Sequence, residues 1–186
     1  MNTKFLGKTL VASALVLTTL GTGLHSSYLG LDTNKVVKTA KAEENMTNGQ
    51  LWKKVKDSLI DSQIISGNEH ETVKVTFTTT TGQSTDVEAT ANHDTVSSTQ
   101  SNFSKLNHID ITKQNVGNDD FNKVLDGKTT WNSLTKNLES KGLITKGQKV
   151  TIHTNDKTVS GIVGENLNDP NTDNLEKRSI NKITIE

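Results

Sequence analysis

Two stretches of the chain follow one pattern. The first, QLWKKVKDSLIDSQIISGNEHETVKVTF, runs from Gln50 to Phe77; the second, TTWNSLTKNLESKGLITKGQKVTI, runs from Thr129 to Ile152. Each places a Trp at the head of a short amphipathic run, then an aliphatic exit, then a Lys-Val-Thr strand. Trp52, Val55 and Leu59 recur at i, i+3 and i+7, and Trp131, Leu134 and Leu138 repeat that spacing, so each trio shares one helical face. Lys53, Lys54 and Lys56 fall outside the first trio and are expected on the solvated face. Asn48 and Gly49 are expected as capping or turn residues at the head of the first helix and Thr130 as the cap of the second, while Gly142 suits the left-handed residue that ends a helix.

Strands follow both helices. Val73, Val75 and Phe77 alternate with polar residues, Thr81-Gly82-Gln83 is a turn, and 85–89 returns with Val87 inward. After a polar loop, Ile109 and Ile111 alternate in a third strand. The second copy supplies Val150 and Ile152, the turn Asn155-Asp156-Lys157, a return over 159–163, and Ile183 and Ile185 at the end. Leu143 and Ile144 match Ile64 and Ile65. Trp52 and Trp131 lie 79 positions apart, Val75 and Val150 lie 75 apart, and Ile109 and Ile183 lie 74 apart. This ordered set of matches predicts a tandem duplication of an α-β-β-β unit, hence an α+β fold. The units are placed at 43–112 and 126–186, joined by a connector, 113–125, whose segment Phe121 to Leu125 is expected to pair with the second unit. Units this small are marginal alone, so they are expected to pack together.

Residues 1–42 read as an export signal. Lys4 and Lys8 precede an apolar run from Leu10 to Leu24, and Ala40-Lys41-Ala42 gives the small-x-small cleavage pattern. The run is short for a membrane span. Of 21 basic and 21 acidic side chains, five lysines and one aspartate fall in this segment, which leaves 16 and 20 and a net charge of −4. That balance argues against a general polyanion binder, and no partnership with nucleic acid is expected. Cysteine is absent, which removes thiol catalysis, thiolate metal sites and disulfides; the core alone must hold the fold.

The order helix, hairpin, polar loop and closing strand resembles the C-terminal part of staphylococcal secreted β-grasp modules. These are the C-terminal domain of superantigens and superantigen-like proteins, and the repeat of the extracellular adherence protein. The matching residues are Trp131 to Leu138 for the helix, Lys149-Val150-Thr151-Ile152 for the strand, Asn155-Asp156-Lys157 for the turn and Ser179 to Ile185 for the closing strand. Leu51 to Leu59, Val73 to Phe77 and Leu106 to Ile111 occupy the same places in the first copy. The resemblance implies a helix packed on a small mixed sheet in each unit, and a secreted, non-enzymatic module that binds a host extracellular or immune protein.

Motifs for chemistry are few. His70, His93, His108 and His153 show no metal-binding or nucleophile-activating spacing and read as surface histidines. The stretch NDPNTDNLE, Asn168 to Glu176, alternates Asp169, Asn171 and Asp173 like the first ligands of a calcium loop, but Asn174 and Ile180 stand where an EF-hand needs Gly and Glu. It reads as a solvated connection between strands, as does VGNDD, Val116 to Asp120. No catalytic, metal or cofactor residue is assigned. The Thr78 to Thr81 run marks an exposed hairpin tip whose strand edge either augments a partner's sheet or is a soluble edge without one. Two functions follow: adhesion or immune evasion by binding a host protein, or inhibition of an extracellular enzyme, a protease or peroxidase, by loops 90–105 or 164–178.

Overall fold

The computed structural model describes residues 46–170 and 172–186, all within one compact unit. The expected export signal, residues 1–42, lies outside the described residues. The fold is α+β. Helix α1 (Asn48–Asp61) is followed by β1 (Glu71–Thr79), β2 (Ser84–Thr90) and β3 (Phe103–Lys113). A 3-10 turn, Asp119–Asn122, and a two-residue strand β4 (Val124–Leu125) lead into α2 (Gly127–Ser140). Then come β5 (Lys149–His153), β6 (Thr158–Ile162), β7 (Leu175–Glu176), a second 3-10 turn over Lys177–Ser179, and β8 (Lys182–Ile185).

Six strands form one sheet in the order β2-β1-β3-β8-β5-β6, with every pairing antiparallel. The small mixed sheet expected under each helix is therefore corrected: the strands of both halves join edge to edge through β3 and β8. The physical reason is that β3 and β8 would otherwise each end a three-stranded sheet with an unpaired edge, and pairing them satisfies both. Ile109 sits opposite Ile183 at this junction. The segment expected to pair from the connector is shorter than Phe121 to Leu125. Val124 and Leu125 alone form β4, which pairs with Glu176 and Leu175 of β7 in a separate two-stranded ribbon.

The period-2 pattern sets the burial. Val73, Val75, Phe77, Leu106, Ile109, Ile111, Val150, Ile152, Val159, Ile183 and Ile185 are buried, and α1 and α2 pack together with them in one core. Trp52 and Trp131 are almost fully buried. Each indole also satisfies its polar atom: Trp52 Nε1 donates to the Val73 carbonyl at 2.9 Å, and Trp131 Nε1 to the Val150 carbonyl at 2.8 Å. Truncating either to alanine is worth roughly 3–5 kcal/mol.

Helix starts lie elsewhere than expected. The N-cap of α1 is Thr47, whose Oγ1 accepts from the Gln50 N–H while Gln50 Oε1 accepts from the Thr47 N–H, a complete capping box. Asp126, not Thr130, caps α2 by accepting from the Thr129 N–H at 2.7 Å. Thr130 is buried inside the helix. Asp126 wins because its short carboxylate precedes the first turn and accepts a charge-assisted bond, whereas Thr130 has an intrahelical partner for its own N–H.

Candidate functional site

One polar cluster joins distant parts of the chain. Glu71 has the same inward parity as Val73 and Val75 and is fully buried at the end of β1. Its carboxylate accepts from the backbone N–H groups of Ser66 and Gly67 at 2.8 and 2.9 Å, which satisfies it with no cation in contact among the described residues. Beside it, Lys177 Nζ donates to Asp120 Oδ2 at 2.6 Å and to Ser66 Oγ at 2.8 Å, and Ser66 Oγ in turn donates to Asp120. Hydrogen bonds from Lys123, Lys177 and Ser66 hold the Asp120 carboxyl well below the usual carboxylate range. The cluster ties the α1–β1 loop, the connector and the segment before β8 together.

Next to it opens a cleft of about 340 Å³, with Ile111 and Ile180 in its lining and Thr112, Lys113, Arg178, Asn115, Asn155 and Asn181 as its polar side chains. Lys113 Nζ donates to the Lys177 and Ile180 carbonyls at 2.5 and 3.1 Å. Arg178 donates to the Val116 carbonyl and to Asn122 Oδ1, and its guanidinium lies 5.6 Å from the Phe121 ring centre. Burial, with Lys177 and Arg178 nearby, pushes the Lys113 ammonium down to about 8, partly offset by Glu71. Among the described residues, neither cleft cation is within ion-pair distance of a carboxylate, and no acidic side chain lines the cleft. A second hollow of about 190 Å³, between the end of α1 and the start of α2, is lined by Asp61, Asp126 and the exposed Val124.

The two outer strands of the sheet differ. On β6 the residues whose backbone faces away from β5 are Thr158, Ser160 and Ile162. The Ser160 N–H donates to Asp169 Oδ2 at 2.7 Å, and the Ile162 carbonyl accepts from the Glu165 N–H at 3.1 Å. Asp169 thus blocks the middle of that edge, while among the described residues the outward N–H groups of Thr158 and Ile162 have no partner. On β2 the corresponding outward groups belong to Ser84, Asp86 and Glu88. Among the described residues no backbone or side-chain partner meets the outward N–H groups of Asp86 and Glu88. The Asp86 side chain lies 3.5 Å from Lys74, and Glu88 is exposed. The Thr78 to Thr81 tip leads into this edge. It is fixed by the Thr80 N–H donating to the Asn102 carbonyl and by a turn through Gly82 at φ +82°.

The other residues singled out by sequence are dispersed. His70 Nδ1 lies 3.1 Å from Gln114 Oε1, His108 Nε2 lies 3.3 Å from Asp110, and His153 Nε2 lies 3.0 Å from Thr184 Oγ1. Burial moves the His153 imidazole below its ordinary value. Among the described residues no group of three or more His, Asp or Glu side chains is placed to hold a metal ion. In the calcium-like stretch, Asp169 caps β6 and the Asp173 carbonyl accepts from Lys157 Nζ. Lys56 departs most from expectation: it is buried, not solvated, with Nζ 5.3 Å from the Trp52 ring centre and donating to the His93 carbonyl and Asp94 at 2.7 and 2.9 Å. It thereby pins loop 91–102 onto α1. Sequence reasoning missed the cleft, the only hint being the adjacent Lys177-Arg178 just before the closing strand.

A family model described as Domain of unknown function (DUF4888) matches residues 47–185. Among curated proteins, none is similar in sequence. No helix among the described residues is long and apolar enough to cross a membrane.

Proposed function

The chain belongs to the Domain of unknown function (DUF4888) family, and we propose that it is a secreted, non-enzymatic binding protein that engages a host protein in adhesion or immune evasion. Secretion rests on the export-type pattern of residues 1–42. Binding rests on one observation: among the described residues the outward N–H groups of Asp86 and Glu88, at the middle of the β2 edge, have no partner, while Asp169 blocks the middle of the β6 edge. An edge left open at its middle, in a fold that blocks the middle of the other, is suited to strand addition, where main-chain bonds give affinity and alternate side chains give specificity. The carboxylates of Asp86 and Glu88 favour a segment with basic residues at alternate positions.

The test is capture of a saturable partner from plasma or neutrophil extract by the chain lacking residues 1–42, repeated with Glu88→Pro. Proline there removes only an outward N–H, so the sheet should survive while capture is lost. Capture that is unaffected by Glu88→Pro in a folded protein would rule out the β2 edge, and no saturable partner from either source would overturn the binding reading.

The repetition supports a further element of this reading, a duplicated α-β-β-β unit with the likeness to staphylococcal β-grasp modules noted above. Thr47 and Asp126, 79 positions apart, cap helices in which the buried positions 51, 52, 55, 56 and 59 match 130, 131, 134, 135 and 138 at that same offset, while buried Gly49, Ser58 and Gly127 have no such match. Both Trp indoles bond to a first-strand carbonyl. Replacing residues 47–66 by a copy of 126–145 should therefore leave a folded chain; loss of cooperative unfolding would count against duplication.

A further inference from the structure

We propose that the cleft between the end of β3, the β5–β6 turn and the segment before β8 is a binding site for a small oxyanion, either free or as the carboxylate end of a peptide. It shares no residue with β2, so it stands apart from the edge-binding reading. Its chemistry is one-sided. Lys113 and Arg178 line it, their hydrogen bonds go to neutral oxygens, and among the described residues no carboxylate enters. Lys113 has three ammonium protons and spends two of them on the Lys177 and Ile180 carbonyls. Arg178 uses Nε and Nη2 on Asn122 and Val116, which leaves the Nη1 donors. Those bonds fix both cations in place, so an anion entering the cleft meets donors that are already oriented.

Asn115, Asn155 and Asn181 supply the rim. The Asn181 Nδ2 group donates to Asn155 Oδ1 at 2.9 Å, which orients that amide pair. Amides offer both donors and acceptors, so the rim suits an oxyanion carrying a further polar group, as a peptide terminus does. The charged groups facing Lys113 are Glu71 from β1 and Lys177 and Arg178 from the 3-10 turn, two cations against one anion. An anion in the cleft would restore the balance and bind a proton to Lys113 as it enters.

The experiment titrates the full chain with inorganic phosphate, with acetylglycylglycine and with its C-terminal amide, following heat by calorimetry and backbone amide shifts around Lys113. Saturable millimolar binding is expected for phosphate or for the peptide acid. Binding should weaken at least several-fold between pH 7 and pH 9.5 and be accompanied by proton uptake near pH 8. Binding of the peptide acid but not its amide would identify a peptide terminus, and binding of phosphate alone a free oxyanion. Asn155→Asp keeps the acceptor for Asn181 and adds a negative charge at the rim, so it should fold normally and bind at least ten-fold more weakly. No saturable binding of any probe, or equal binding by Asn155→Asp, would overturn the proposal.

Discussion

The Ser160 N–H donates to the Asp169 carboxylate at 2.7 Å, so a side chain from a loop stands where a seventh strand would otherwise pair. Asp169→Ala is expected to expose that N–H to water. Stability should fall by about 1 kcal/mol, because the lost bond is charge-assisted but the freed group is solvated rather than buried. The larger effect should be on association: with both outer edges open, light scattering should show concentration-dependent oligomers that the parent chain does not form. An unchanged, monodisperse variant would mean that Glu165 and Ile162 close the edge unaided.

The two helix exits use one geometry with different residues. Gln63 has φ +63° and Gly142 has φ +73°, and in both the next residue's N–H returns to the helix, Ile64 to Leu59 and Leu143 to Leu138. An L-residue in this conformation costs about 1–2 kcal/mol, partly offset in glycine by its greater unfolded-state freedom. Gln63→Gly should therefore stabilise by up to about 1 kcal/mol, and Gly142→Ala should destabilise by about the same amount. Urea denaturation of both variants checks the opposite signs.

Gly49 and Gly127 reverse the usual ranking in which alanine is the better helix former. A Cβ at Gly49 would lie 2.5 Å from the Ser97 carbonyl oxygen, and one at Gly127 would lie 2.4 Å from that of Thr172. Both carbonyls already accept from the glycine N–H, so neither loop can retreat without losing a bond. Alanine at either site should destabilise by roughly 1–3 kcal/mol, the cost of overpacking against backbone, instead of gaining about 1 kcal/mol of helix propensity. A rise in melting temperature on either substitution would contradict this.

Periodicity made the local elements legible. Trp52, Val55 and Leu59 and the alternating Val73, Val75 and Phe77 are buried as their spacing requires. Parity carried more than was taken from it, since Glu71 stands two residues before Val73 and on the same inward face. Lys56 was misplaced because its helical angle falls next to the apolar stripe, and burial there depends on Asp94 and the His93 carbonyl, which come from a loop with no pattern of its own. The joining of β3 to β8 depends on a pairing between Ile109 and Ile183, 74 positions apart, that neither strand's pattern specifies. The cleft was hidden for the same reason: Lys113, Asn155 and Arg178 meet only after the sheet has closed.

The pH dependence of stability should carry a limb at each end of the range, with stability rising with pH along both. Lys113 has its pKa lowered from 10.5 to about 8 in the folded chain, by burial first and by Lys177 and Arg178 next. Between about 8 and 10.5 the unfolded chain holds a proton that the folded chain has released, so this group makes stability rise with pH through that window. Below about 8 both states are protonated and its destabilising contribution is constant. Asp120 gives a slope of the same sign at the acid end: its folded pKa is depressed below the ordinary 3.8, so its contribution is complete above that value and is lost as pH falls further. Lys53, raised by Asp57, opposes Lys113 at high pH, so the parent curve alone does not separate them. Lys113→Met does: comparing its unfolding free energy with that of the parent chain from pH 7 to 10.5 should show a flatter limb, whatever the offset from the two unpaired carbonyls. Asp120→Asn should flatten the acid limb and leave the alkaline one unchanged. Parallel curves for Lys113→Met and the parent would show that the ammonium keeps its ordinary pKa in the folded chain.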